Sequence, residues 1–437
     1  MRAPRSSGSP RRSFASRPTL RRRGAGPRFH GWAVGIAVGA TLLGGWAGEW
    51  PQFLGPTRNG VYAAHDVAAA WPKEGPPVLW QRSVGQGFSG PVVTGSRLVL
   101  FHRVGDQAVI ECCDAGTGRP QWTFGYPTDY HDQIVGEDHG PRATPVLGGG
   151  KVYTLGAEGM LHCLDLTTGK KLWRHDARTE FGAKEGFFGF ACSPVLDGGL
   201  VLVNLGGPHG AGIVAFDAAS GQVRWSATDD EASYSSPVVV PVGGQRLALF
   251  FTRAGLVGLD PARGVVRFRF PWRSRQYASV NAATPVVVGD RIFLSASYET
   301  GAVLLRVADH RLEKVWSGDD LLSNHYATSV YHDGYLFGFD GRQEYGPRLR
   351  CVAFPTGAVR WTKEGLGAGN LLLAGDQLLV LLEKGLLLAV AATPEGYREL
   401  ASAQILGGGV RAQAALADGR LYARDHNRLV CLDLKRP

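Results

Sequence analysis

The chain has 437 residues, 61 of them glycine, is 44% hydrophobic and carries a formal charge of +9. No long helical period is present after residue 50, which excludes a helical bundle and leaves room for one large all-β domain. Nine arginines and no acid lie in residues 1–30; without them 38 Lys+Arg face 38 Asp+Glu, so the rest is formally neutral and no nucleic-acid footprint is expected.

Residues 1–48 read as a basic leader. Gly31 to Gly48 is uncharged and rich in Ala, Val, Leu and Gly, with small residues near Ala47, as in a secretory signal. Its 18 residues sit at the short edge for crossing a bilayer, so an uncleaved anchor in the inner membrane is the alternative. Both readings make residues 49–437 a periplasmic or otherwise exported domain, with membrane association through residues 31–48 in the second. Arg11-Arg12-Ser13-Phe14 is similar to a twin-arginine signal, but the apolar core begins too far downstream. Next comes Trp50-Pro51-Gln52-Phe53-Leu54-Gly55-Pro56, then Asn59-Gly60.

From residue 78 one phrase recurs: a short apolar strand opened by Ser/Thr-Pro, a Gly turn, two more strands around Asp-x-x-Thr/Ser-Gly, and a tryptophan. The openings are Gly90-Pro91, Thr144-Pro145, Ser193-Pro194, Ser236-Pro237 and Thr284-Pro285, then weaker copies at Ser329-Val330, Leu372-Leu373 and Ala414-Ala415. The closing positions are Trp80, Trp122, Trp173, Trp225, Phe268, Trp316, Trp361 and Leu400. Trp80 precedes the first opening, and the last unit has no aromatic after its third strand. The spacing, about 48 residues per unit, therefore predicts an eight-bladed β-propeller of four-stranded antiparallel blades. The N-terminal strand around Trp80 completes the last blade and closes the ring. Asp114, Asp165, Asp217, Asp260 and Asp433 are turn residues rather than catalytic acids. The tryptophans Trp80, Trp122, Trp173, Trp225, Trp316 and Trp361 are expected to fill seams between blades.

Leu164-Asp165-x-x-Thr168-Gly169-x-x-x-Trp173 and its relatives resemble the pyrroloquinoline-quinone (PQQ)-like propeller repeat family across residues 78–434. The Trp50 to Gly60 segment looks like the opening motif of its exported members. The resemblance implies an eight-bladed propeller. Its quinoprotein alcohol dehydrogenases carry PQQ with calcium and place a ring closed by adjacent cysteines against the cofactor. Its BamB-like members bind no quinone and act as scaffolds. Cys112-Cys113 is the tempting match here, but both lie in one strand, where neighbouring side chains point to opposite faces. Cys113, Cys163, Cys351 and Cys431 fall in corresponding strands of different units and read as small core residues; with no C-x-x-C spacing, no metal site is expected.

The connections that enter the inner strands should converge at one end of the channel, where function usually sits. The first supplies Glu137, Asp138, His139 and Arg142; the next supplies Phe188. Tyr234, Asn281, Asn324, His325, Tyr326 and Arg411 follow on later connections. Arg142 is placed to clamp a carboxylate or to pair with Glu137 or Asp138. His325 is either a general base or a satisfied structural histidine. Glu344-Tyr345-Gly346-Pro347, between second and third strands, is expected on the opposite rim. The expected function is a monomeric, exported, non-catalytic scaffold that binds a protein partner or small ligand at the mouth or rim, without cofactor. The alternative is a PQQ- and calcium-dependent oxidoreductase of alcohols or sugars, with Asp138 or Glu137 taking the substrate proton.

Overall fold

A computed structural model describes residues 48–132, 138–308 and 311–436. The leader and Glu137 lie outside the described residues. The strands form eight sheets, each one blade. Blades 1 to 7 span residues 92–127, 146–176, 195–227, 238–271, 286–318, 330–363 and 369–404. Blade 8 joins residues 415–433 to the N-terminal strand Val78–Ser83, which pairs antiparallel with Arg428–Asp433. The expected ring and its closure are both present. Blade 7 departs from four strands: Val61–Tyr62 adds a fifth, parallel to its inner strand.

Apolar residues pack between blades rather than within them. One cluster combines Tyr153 and Cys163 of blade 2 with Val201 and Phe216 of blade 3. Each seam is then locked at its outer end. In all eight outer strands the pairing slips by one residue, a β-bulge, just before the seam position. The bulge turns the next side chain towards the following blade. Trp80, Trp122, Trp173, Trp225, Trp316 and Trp361 each donate their indole N–H to the carbonyl of Ala115, Leu166, Ala218, Pro261, Phe354 or Thr393, at 2.7–3.3 Å. Those acceptors open the turn of the next blade, at the residue after the Asp where one is present. The Asp165 carboxylate accepts from the Thr167 and Thr168 amides and the Thr168 hydroxyl, which fixes that turn. At Gly169, φ is +70° and a Cβ would lie 2.5 Å from the Trp122 ring, so only glycine fits. The repeat signature is thus the two halves of one joint. In blade 7 the residue after the bulge is Ala401, not Leu400, which occupies the bulge itself.

The Ser/Thr of the inner-strand openings forms a second ring of contacts. The amides of Gly90, Thr144, Ser193 and Thr284 donate to the hydroxyls of Thr144, Ser193, Ser236 and Thr328 on the next blade, at 2.9–3.1 Å. In blade 6 the opening pair is therefore Thr328-Ser329, one residue earlier than the sequence spacing places it.

The Trp50–Tyr62 segment crosses the inner strands at the end opposite the connections. Trp50 bridges Val93 of blade 1, and the Pro51 carbonyl accepts from Leu147 of blade 2. Tyr62 pairs with Ala374 of blade 7, and its hydroxyl accepts from Gly419 of blade 8. Arg58, 3% exposed, donates to the Ser193 and Pro194 carbonyls of blade 3 and to Gln52. Burial lowers its pKa to about 10. The motif is a plug. All six cysteines are free and buried. Cys112 faces the seam of blades 1 and 2, and Cys113 the seam of blades 8 and 1.

Trp173→Ala is expected to lower stability by about 3–5 kcal/mol in denaturant titrations, as the truncation of a partly buried aromatic that also loses its seam hydrogen bond. Arg58→Met should cost about 1–3 kcal/mol, because it strands two inner-strand carbonyls; an unchanged unfolding midpoint would show that the plug is not bonded to blade 3.

Candidate functional site

Strand parity decides which loops share an end. The connections between blades and the turns between second and third strands both lie at the mouth. Tyr298, in the second-to-third turn of blade 5, hydrogen-bonds His325 Nε2 at 2.8 Å. The Gln343 amide of blade 6 donates to His325 Nδ1 at 3.4 Å. Arg342 stacks over Tyr298 and Tyr345. The segment Glu344 to Pro347 is therefore on the mouth rim, not the opposite one. An antiparallel pair returns the chain to its starting end, so two strands after a connection the chain is back beside it.

One group of residues gathers around Phe88, which comes from the connection into blade 1. The Arg142 guanidinium lies 5.0 Å from the Phe88 ring and that of Arg411 lies 5.4 Å from it. The His426 ring meets it edge-on. Arg142 also donates to the Phe188 carbonyl (2.7 Å) and to Asp132 (2.5 Å). The Phe188 amide donates to the Tyr234 hydroxyl at 3.0 Å. Burial raises the Tyr234 pKa to about 12, so the phenol stays neutral. Arg411 pairs with Glu383 at 2.8 Å, and Tyr326 donates to the same carboxylate oxygen. These contacts join Arg142, Phe188 and Tyr234 in one chain and bring Tyr326 and Arg411 to a shared Glu383 carboxylate.

Asp138 sits beneath this group. It accepts from the Gly87 and Gly140 amides and bonds His426 Nδ1 at 2.6 Å. Burial works against its ionisation, but those bonds outweigh it and hold the carboxyl below its usual value. Burial lowers the His325 pKa to about 4, against the pull of Glu344, so its ring is neutral at physiological pH. His139 accepts the Asp132 amide through Nδ1, and its carbonyl accepts from Arg103. Asn281 and Asn324 are buried; they bind backbone carbonyls of Thr252, Trp272 and Phe339 and hold the loops rather than face the mouth.

Sequence reasoning missed Phe88, Glu383 and His426 in this group. Glu383 and His426 lie in second-to-third turns, and correct strand parity would have found them. Phe88, two residues before the Gly90-Pro91 opening, carried no signal of its own.

A quinone site of the dehydrogenase type needs calcium donors. Among the described residues no three His, Cys, Asp or Glu side chains converge on a point that could hold a metal. Both Asp138 oxygens are already bonded internally. No helix among the described residues is long and apolar enough to cross a membrane.

A family model described as outer membrane protein assembly factor BamB matches residues 105–363. The quinoprotein alcohol dehydrogenase PedH of Pseudomonas putida is 24% identical over 69% of this chain and 47% of its own. The outer membrane protein assembly factor BamB of Yersinia pestis is 23% identical over 56% of this chain and 62% of its own. The chain thus spans less than two thirds of either curated relative. The crystal structure of BamB from Moraxella catarrhalis superposes with a TM-score of 0.59 at 16% identity, covering 82% of this chain and 97% of that one, which is a likeness of fold.

The unfolded chain protonates His325 near pH 6.5, whereas the folded chain resists until about pH 4. Stability from this residue is complete above pH 6.5 and is lost as pH falls towards 4, by at most about 1.4 kcal/mol per pH unit. His325→Gln should flatten that part of the slope when unfolding free energy is measured from pH 7 to 4.

Proposed function

This chain belongs to the family described as outer membrane protein assembly factor BamB, and from that premise we propose that it is an exported, non-catalytic scaffold that captures a protein partner on its mouth rim. The observation that carries this reading is how the mouth spends its charge. Arg142, Arg253, Arg342 and Arg411 pair with Asp132, Glu231, Glu344 and Glu383. Each guanidinium also stacks on an aromatic ring. Charges held this way orient side chains; they do not transfer protons. Tyr277 and Tyr345 meanwhile stand 79% and 78% exposed on the rim, propped against Arg253 and Arg342. Exposed tyrosines held rigid by arginine are the side chains that anchor protein contacts, since they bring large area at small entropic cost.

The leader supports export, and an inner-membrane anchor through residues 31–48 is the variant of that proposal. A second reading, a quinoprotein oxidoreductase, draws on the match to PedH. It needs a calcium donor set, and among the described residues no three His, Cys, Asp or Glu side chains cluster to supply one.

A photo-crosslinking residue at Tyr277 or Tyr345 should capture one discrete protein in the native compartment, while the same residue at Gln121, on the outer edge of blade 1, should not. Arg142→Ala should fold normally and weaken that capture. Saturating PQQ with Ca²⁺ should leave the melting temperature unchanged, because only a ligand of the native state raises it; a rise accompanied by dye-linked alcohol oxidation would replace the scaffold reading with the dehydrogenase one.

A further inference from the structure

Seven outer strands place Trp or Phe after the bulge, and blade 7 places Ala401 there. The N-terminal arm lies over this deficient seam. Its Ala68 amide donates to the Leu434 carbonyl at 2.8 Å. Leu434 follows Asp433, so this carbonyl is the counterpart of those that accept an indole N–H elsewhere. Gln377 of blade 7 donates to the Ala68 carbonyl, and Arg436 donates to that of Val67. The arm restores the missing hydrogen bond but not the bulk of an indole.

A cavity of about 300 Å³ adjoins the joint, between the arm and blade 7. Val67, Ala391 and Leu400 give it an apolar wall, and Arg398 and Arg436 give it a cationic side. Among the described residues neither guanidinium has a carboxylate partner. Asp376, the acid on the same cavity, is directed to His332 of blade 6 at 3.3 Å.

We propose that this seam cavity is a binding site for a small carboxylate with a flat apolar body. Its volume is at the lower end of ligand pockets. The alanine, valine and leucine surface takes the ring, and the guanidiniums of Arg398 and Arg436 take the carboxylate in charge-assisted hydrogen bonds. The site is independent of the mouth: it lies at the end of the ring where the plug sits, and it does not rest on the scaffold reading.

Indole-3-acetate and its uncharged counterpart tryptophol are the probes, read by thermal shift and calorimetry on the whole exported domain. The acid should raise the melting temperature in a saturable way and bind at least tenfold more tightly than the alcohol. Arg398→Gln should weaken the acid at least fivefold. Ala391→Phe should fill the cavity and abolish binding; if that variant does not fold, Leu400→Trp at a half-buried position makes the same test. Arg142→Ala, at the mouth, should bind the acid as the parent does. Equal affinity for acid and alcohol, no saturable response to either, survival of binding in the filled variant, or its loss in Arg142→Ala would each overturn the proposal.

Discussion

The whole ring depends on one joint, in which a tryptophan of one blade docks on the Asp-Gly turn of the next. The joint combines three requirements. A bulge must re-aim the side chain, a carbonyl must accept the indole N–H, and a glycine must leave space under the ring. Each is weak alone, at about 1 kcal/mol for the hydrogen bond. Repetition around a closed ring makes them cooperative, because no blade can leave its place without opening two seams. Closure is therefore the step that gives each joint its value. An open array of the same blades would expose one apolar face and one sheet edge.

The N-terminal arm does the closing, and does it at three places. The Val78–Ser83 strand gives blade 8 its outer strand and its Trp80. Residues 66–68 cover the seam where Ala401 replaces an aromatic. Trp50–Tyr62 bonds the inner strands of blades 1, 2, 3 and 7. Chain from before the first blade is thus distributed over outer edge, seam and channel. The defect in blade 7 lies where the arm passes, so the one place without its own wedge is the place that a second segment can reach.

Periodic features were legible in the sequence, and features that occur once were not. Eight units, the turn role of Asp165 and its equivalents, the seam role of the tryptophans and the closing strand all follow from repetition at fixed spacing. The opposed faces of Cys112 and Cys113 follow from strand alternation. Leu400 was misplaced because the bulge adds one residue that apolar spacing cannot reveal. The plug was illegible because Trp50 and Arg58 find their partners on blades far along the chain. At the mouth, Arg142, Phe188, Tyr234, Tyr326 and Arg411 were legible as connection residues. Their partners Glu383 and His426 were not, because the rim of the second-to-third turns was assigned to the wrong end. Asn281 and Asn324 looked like site residues for the reason that makes them structural: a buried loop needs a side chain to satisfy its carbonyls.

Plug and parity together give the ring a direction. One end consists of short hairpin turns and is crossed by the Trp50–Tyr62 segment. The other carries the long connections, with their stacked arginines and exposed tyrosines. A segment that bonds backbone to backbone across several blades cannot be displaced by a ligand without giving up several hydrogen bonds at once. A rim built from side chains on connecting loops can adjust one residue at a time. The two ends therefore differ in kind: the plugged end fixes the shape of the ring, and the mouth is the end whose side chains are free to adjust.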